Sequence, residues 1–376
     1  MTSTAGPLPP GPPPRPAAQA AVEDWASYRD RIDVRSPGEF ADDHLPGAIN
    51  LPVLDDAERS LVGTMYAQIS AFDARKAGAA LVARNIARIV ETHARDKPRD
   101  WSPLVYCWRG GQRSRALVHV LVEIGFRAVQ LDGGYRAFRR HVVVMLTHLP
   151  QRFRFRVVCG LTGSGKSRLI EAVAAEGGQA LDLERLAKHR GSLLGGLPGD
   201  PQPTQKAFEC AIFAELSTFD EARPVFVESE SQRIGRLQVP ESLLASMRAS
   251  PCIRLETAQA LRVAMLEADY AHLLRQDADL PRTLAPLAKL HDKATIARWT
   301  QWANNGDAAT LAADLLDLHY DPSYQRAIRR NFPRYRDAAV LHVEDATDAT
   351  FRELARQLLG RPAPAPSEAQ APNASR

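Results

Sequence analysis

The stretch Phe155-Arg156-Val157-Val158-Cys159-Gly160-Leu161-Thr162-Gly163-Ser164-Gly165-Lys166-Ser167 decides the fold of the second half of the chain. An apolar run of strand type passes into the spacing G-x-x-x-x-G-K-[ST] and then into a helical pattern, the context in which that spacing makes a phosphate-binding loop. Backbone N–H groups from 163 to 167 would wrap a phosphate at the positive end of the following helix. Gly160, Gly163, Ser164 and Gly165 form the turn itself. Lys166 would reach the terminal oxygens, and the Ser167 hydroxyl would hold Mg²⁺ where a metal accompanies the phosphate.

Downstream, Pro224-Val225-Phe226-Val227-Glu228 reads as a second strand and runs into Ser229-Glu230. A nucleotide hydrolase usually carries Asp where this chain has Glu228. A glutamate there can still order a metal-bound water, so a nucleotide stays among the ligands, as does the plain reading that the acids cap a strand. A further strand is expected at Cys252-Ile253-Arg254-Leu255 and a last one at Val340-Leu341-His342-Val343. Beyond Ala258 the pattern is mainly helical and carries a basic cluster of Arg326, Arg329, Arg330, Arg334 and Arg336.

Upstream, from Trp25 to about Phe138, four short apolar runs alternate with helical stretches: Ile32-Asp33-Val34, Ala48-Ile49-Asn50-Leu51, Leu104-Val105-Tyr106 and Ala128-Val129-Gln130-Leu131. Helices are expected from about Ala77 to Thr92 and from Ser114 to Ile124, the second stopped by Gly125. Such alternation predicts a parallel α/β sheet. Between one strand and the next helix lies Cys107-Trp108-Arg109-Gly110-Gly111-Gln112-Arg113-Ser114, at the carboxyl end of a parallel strand, where such sheets place their ligands. C-x5-R is an oxyanion cradle: Gly110 and Gly111 let backbone N–H groups turn inward, while Arg113 and the helix N-terminus add positive charge. The same fields would make Cys107 a thiolate nucleophile. A phosphatase uses this cradle too.

The chain has 376 residues with 45% hydrophobic and 24% charged, which bounds it as a globular protein of two domains. Its formal net charge of +4 permits a polyanionic partner without requiring one. The four cysteines are far apart with no C-x-x-C, so no disulfide framework or zinc site is signalled, and Cys159, Cys210 and Cys252 read as buried structural residues. No run approaches the ~20 apolar residues of a membrane span, and the Pro-rich start has no apolar segment of secretory type. A cytoplasmic protein is expected. The domain reading is a disordered leader over 1–21, a first α/β domain over 22–138, a basic connector over 139–154, a phosphate-loop domain over 155–360 with a helical C-terminal part, and a disordered tail over 361–376. The connector, with Arg136, Arg139 and Arg140 near Arg152, Arg154 and Arg156, reads equally as a solvated helix face with an edge strand or as a phosphate-backbone contact.

Asp33-Val34-Arg35 with Glu39, His44-Leu45-Pro46-Gly47-Ala48-Ile49-Asn50, the Cys107 loop and Leu131-Asp132-Gly133-Gly134-Tyr135 together resemble the rhodanese pattern of sulfurtransferases, which argues against the phosphatase. The resemblance implies that Cys107 carries a transferable chalcogen and that Asp33 and Arg35 hold the fold. A rhodanese-like domain followed by a P-loop domain is similar to the tRNA 2-selenouridine synthase family. Further matching runs are Val62-Gly63-Thr64-Met65-Tyr66, Leu181-Asp182-Leu183-Glu184 with His189-Arg190-Gly191-Ser192, Gln202-Pro203-Thr204-Gln205, Glu228-Ser229-Glu230-Ser231-Gln232-Arg233-Ile234-Gly235 and His319-Tyr320-Asp321-Pro322-Ser323-Tyr324.

This resemblance implies two coupled reactions on tRNA bearing wobble 2-thiouridine: S-geranylation by geranyl diphosphate, then replacement of the geranylthiol by selenium from selenophosphate. The site residues it implies are Cys107, Arg109, Gly110, Gly111 and Arg113 for selenium, and the phosphate loop with Glu228 for the diphosphate; Trp108 and Tyr135 are aromatics that could stack on a base. The alternatives are a rhodanese-type sulfurtransferase with an accessory P-loop ATPase domain, and a P-loop kinase whose rhodanese-like part is a sensor.

Overall fold

The computed structural model describes residues 18–192, 195–197, 199–270 and 284–360. The expected disordered tail, and the leader up to residue 17, lie outside the described residues. The chain forms two compact units that divide between Val142 and Val143.

The first unit holds a five-stranded parallel sheet of β1 (Gln19–Ala20), β2 (Arg31–Asp33), β3 (Ala48–Asn50), β4 (Leu104–Tyr106) and β5 (Val129–Leu131), in the order β1-β5-β4-β2-β3. Every residue of β4 is buried, as expected of a central parallel strand covered on both faces. Ile32, Val34 and Val105 pack with Leu117 and Leu121 of the helix Gln112–Ile124, which ends at Gly125 in a left-handed cap with φ 110°. The leader reading needs correction at its end: Gln19 and Ala20 pair with Gln130 and Leu131, so the sheet takes up chain that had been counted as disordered. A helix at Asp56–Gln68, opened by an Asp55/Glu58 capping box, joins the longer Ala71–Ile89.

The expected basic connector is regular structure: the helix Gly134–His148, a short 3₁₀ turn Leu149–Arg152, and then the first strand of the second unit. That unit has a second parallel sheet of β6 (Arg154–Cys159), β7 (Gln179–Leu181), β8 (Pro224–Glu228), β11 (Cys252–Thr257) and β12 (Ala339–Val343), in the order β12-β11-β6-β8-β7. A small antiparallel pair, β9 (Arg233–Ile234) and β10 (Leu237–Gln238), lies outside it. β6 is central, so the phosphate loop springs from the middle of the sheet. Val158, Phe226 and Leu255 of the strands pack against Leu169 and Val173 of the helix Lys166–Ala175 and Phe351 of the helix Asp348–Leu359. A satellite core of Leu287, Trp299, Leu311 and Leu315 gathers the C-terminal helices. Among the described residues no helix is long and apolar enough to cross a membrane.

Candidate functional site

Cys107 directly follows β4, with 3% of its surface exposed. Its sulfur accepts two hydrogen bonds, from the Gly111 N–H at 3.3 Å and from the Ser114 hydroxyl at 3.2 Å. Gln130 of β5 fixes the loop from behind, donating to the carbonyls of Gly110 at 2.7 Å and Gly111 at 3.1 Å and to Ser114 Oγ at 2.7 Å. Only Gly110 of the two loop glycines takes the left-handed conformation, at φ 64°; Gly111 is extended, at φ −93° and ψ −150°. The inward turn therefore depends on Gly110 alone.

Arg113 does not point its fork at the sulfur in this state. It donates to Glu39 Oε2 at 2.8 Å, and Arg59 approaches the same oxygen at 3.0 Å. Burial pushes Glu39 up, but the bond and charge of Arg113 outweigh it and hold the carboxyl below its ordinary range. Arg109 and Trp108 are exposed beside the loop. Tyr135 is not available for base stacking: it is 2% exposed and donates from its hydroxyl to Asp43 at 2.7 Å. Asp33 and Arg35 form a wholly buried ion pair at 2.6 Å, with the guanidinium 4.0 Å from the Tyr135 ring centre, a structural arrangement out of reach of a ligand. The other three cysteines are buried as well.

In the second unit the phosphate loop opens into a cavity of about 760 Å³. Gly163 and Gly165 have φ of 74° and 88°, and a Cβ on Gly165 would stand 2.4 Å from Phe351 Cζ. Lys166 Nζ rests on the carbonyls of Gly160 at 3.0 Å and Leu161 at 3.4 Å, ready to be drawn to an anion. The Ser164 hydroxyl is buried on the cavity wall without a hydrogen-bond partner among the described residues, the kind of group a bound phosphate would satisfy. Ser167 donates to Glu184 Oε2 at 2.7 Å, and the Glu184 N–H donates to Glu228 Oε1 at 2.8 Å. The acid touching the loop serine is thus Glu184, with Glu228 a layer behind it and fully buried.

Residues 153–283 match the family described as the tRNA 2-selenouridine synthase AAA domain, and residues 18–141 match the rhodanese-like domain. The tRNA 2-selenouridine synthase of Nitrosomonas europaea is 34% identical over 280 residues, covering 71% of this chain and 70% of that one. The protein of the same name from Cupriavidus pinatubonensis is 37% identical over 274 residues, covering 71% and 72%. The chain belongs to the tRNA 2-selenouridine synthase family. That family is one of tRNA-modifying enzymes, and this chain is an enzyme of that type. A third relative, from Marinobacter nauticus, is 37% identical over 242 residues and is covered over 65% of its length.

Within the family's P-loop part, the cavity shows what a motif search leaves out. Burial raises Glu184, against the Lys166 charge and the Ser167 hydroxyl. Burial, then the neighbouring carboxylates Asp182, Glu184 and Glu230, push Glu228 well up. Glu230 is raised to about 8 by burial and by Glu184, which favours its neutral form and lessens its repulsion of a bound anion. Tyr324 takes a hydrogen bond from the Gly160 N–H at 3.2 Å and has its ring 5.3 Å from Lys166 Nζ. Arg262, 4% exposed, donates to the Thr162 carbonyl at 2.9 Å and pairs with Asp321 at 2.6 Å, locking the loop to the C-terminal helices. His189, Arg190, Gly191 and Ser192 line the cavity, whereas Gln205 is held by Glu209 and the Gln238 carbonyl. Glu184 had a sequence signal, an acid just past a short apolar run. Tyr324 lies in a matching run that gave it no role, and Arg262 had no signal at all, because they reach the loop from 164 and 100 residues away.

Proposed function

We propose that this enzyme converts the wobble 2-thiouridine of tRNA to 2-selenouridine through an S-geranyl intermediate. The observation that carries the reading is the family match across both halves of the chain, each of which contains one anion cradle. In the first step the thiocarbonyl sulfur attacks C1 of geranyl diphosphate. A C–S bond forms, the C–O bond breaks and diphosphate leaves. The loop amides and Lys166 would take up its developing charge, with the Ser164 hydroxyl as a further donor. The hard oxygens of Ser167 and Glu184, 2.7 Å apart, suit Mg²⁺, which when bound would screen diphosphate from the acids.

In the second step the selenium of selenophosphate attacks the ring carbon, and the C–S bond breaks to release geranylthiol. Hydrolysis of the Se–P bond then yields phosphate and 2-selenouridine. Alkylation makes the sulfur a competent leaving group, which explains why one enzyme needs two anion sites. We assign selenophosphate to the Cys107 loop: the Gly111 N–H and Ser114 hydroxyl already donate at this position. Release of Arg113 from Glu39 would supply the fork, and exposed Arg109 a second cation. A cytoplasmic site of action goes with these substrates.

Incubating the full chain with 2-thiouridine tRNA, geranyl diphosphate and selenophosphate, followed by mass analysis of the digested nucleosides, tests the reading. S-geranyl-2-thiouridine should accumulate when selenophosphate is withheld, and 2-selenouridine should form when it is added. Sulfur transfer to cyanide with no change in the tRNA would instead favour a plain sulfurtransferase.

A further inference from the structure

One helix, Asp321–Asn331, serves two faces of the second unit. Tyr324, Ala327, Ile328 and Asn331 line the phosphate-loop cavity, followed by Phe332. At about 100° per residue, Arg326 and Arg329 fall on the opposite side, within roughly 50° of the direction directly away from the cavity, and Arg330 falls on the adjoining flank, roughly 70–90° from it. All three are exposed, and so are Arg334 and Arg336 in the turn Pro333–Asp337 that follows. From 322 to 337 the chain carries those five arginines against a single acid, Asp337. Among the described residues none of the five is in an ion pair with a carboxylate; Arg326 reaches only Ser323 Oγ, at 3.5 Å.

Helix-dipole compensation would account for Arg329 and Arg330 in the last turn. It leaves Arg326, Arg334 and Arg336 unexplained. The basic stretch before the second sheet differs in this respect, because Arg152 pairs with Glu221 and Arg154 donates to the Ala222 carbonyl. Unpaired guanidinium groups at i, i+3 and i+4 form a row of sites for a run of phosphates.

We propose that the outward face of Asp321–Asn331 with the turn Pro333–Asp337 is the RNA-backbone contact surface, and that it lays the substrate strand beside the phosphate-loop cavity. This rests on the proposed tRNA reaction and names the residues that hold the RNA for its first step. The helix links the two roles physically: its inner face walls the cavity while its outer face holds the strand. No base is read by these contacts, so they confer affinity and placement without sequence preference.

The test is binding of 2-thiouridine tRNA to the full chain across a salt series, for wild type, R326A/R329A/R330A and R326K/R329K/R330K. The alanine variant should bind at least about tenfold more weakly, with a log K against log salt slope flatter by about two, and the lysine variant should stay near wild type. In prenylation the alanine variant should raise KM for tRNA and leave KM for geranyl diphosphate unchanged. Equal affinity and slope in wild type and the alanine variant would overturn the surface while leaving the proposed reaction standing. Failure of the wild type to bind tRNA at all would overturn both.

Discussion

Glu230 is the residue whose environment departs furthest from what its place in the chain suggests. The sequence shows an acid two residues past Glu228 at the end of an apolar strand, which reads plainly as a strand-end acid. In the fold it is 7% exposed and raised to about 8 by burial and the charge of Glu184. A carboxyl with a folded pKa above its unfolded one binds more protons when folded between the two values. Its favourable contribution is complete below about pH 4.5, shrinks as pH rises and is gone above about pH 8. Glu230→Gln removes this linkage. The variant should gain stability over wild type as pH rises through that window, by up to about 1.4 kcal/mol per pH unit. Melting temperatures of both proteins from about pH 4 to about pH 9 check it; parallel curves would mean that Glu230 does not titrate there.

The same scale shows where sequence reading stops. Lys166 and Ser167 are legible because their spacing fixes their geometry. Arg113 is equally well placed in its motif, yet the 2.8 Å bond to Glu39 draws its fork away from the cysteine. Glu39 lies 74 residues earlier, and nothing local announces the pairing. Glu184 stands where Glu228 was expected for a related reason. β7 and β8 are neighbours in the sheet, so the acid that follows β7 comes to stand in front of the acid that ends β8.

Elements were readable where burial or a cap imposes a pattern. The phosphate-loop strand, β4 and the helix ended by Gly125 carry continuous apolar runs or a glycine stop, and each lies within two residues of its expected bounds. β1 was missed because two residues next to a Pro-rich run can show no periodicity; only the partner strand makes Gln19–Ala20 a strand. Turns are harder still, because glycines of equal appearance do different work. A Cβ on Gly134, at φ 57°, would stand 2.3 Å from the Cys107 carbonyl oxygen and 2.4 Å from Gly110 N, whereas Gly111 has nothing within 4 Å. Gly134→Ala should therefore cost more than about 2 kcal/mol from backbone strain and the collision. Gly111→Ala should cost less than about 1 kcal/mol while keeping the N–H that serves Cys107. Urea unfolding of the two variants measures the contrast, and similar midpoints would show that the loop yields at Gly134.

For the whole molecule, there are two separate sheets, each with an anion loop at the carboxyl end of a central strand, and the proposed reaction would divide its two steps between them. In the proposed reaction the S-geranyl nucleotide is a covalent product of the first half, so the halves should be separable. Lys166→Ala should abolish geranylation, because no other described cation touches the loop carbonyls where its ammonium rests. It should still convert pre-geranylated tRNA to 2-selenouridine. Cys107→Ala should do the reverse, accumulating geranylated tRNA that selenophosphate does not discharge. Each variant serves as the other's folding control, since each keeps one half-reaction. Mixing the two should restore conversion of 2-thiouridine tRNA, more slowly than wild type, because the intermediate must leave one chain and bind another. Nucleoside mass analysis of the two single reactions and the mixture reads all of this. If Lys166→Ala also failed on pre-geranylated tRNA, both loops would be needed in one step, and the division of labour between the two sheets would have to be abandoned.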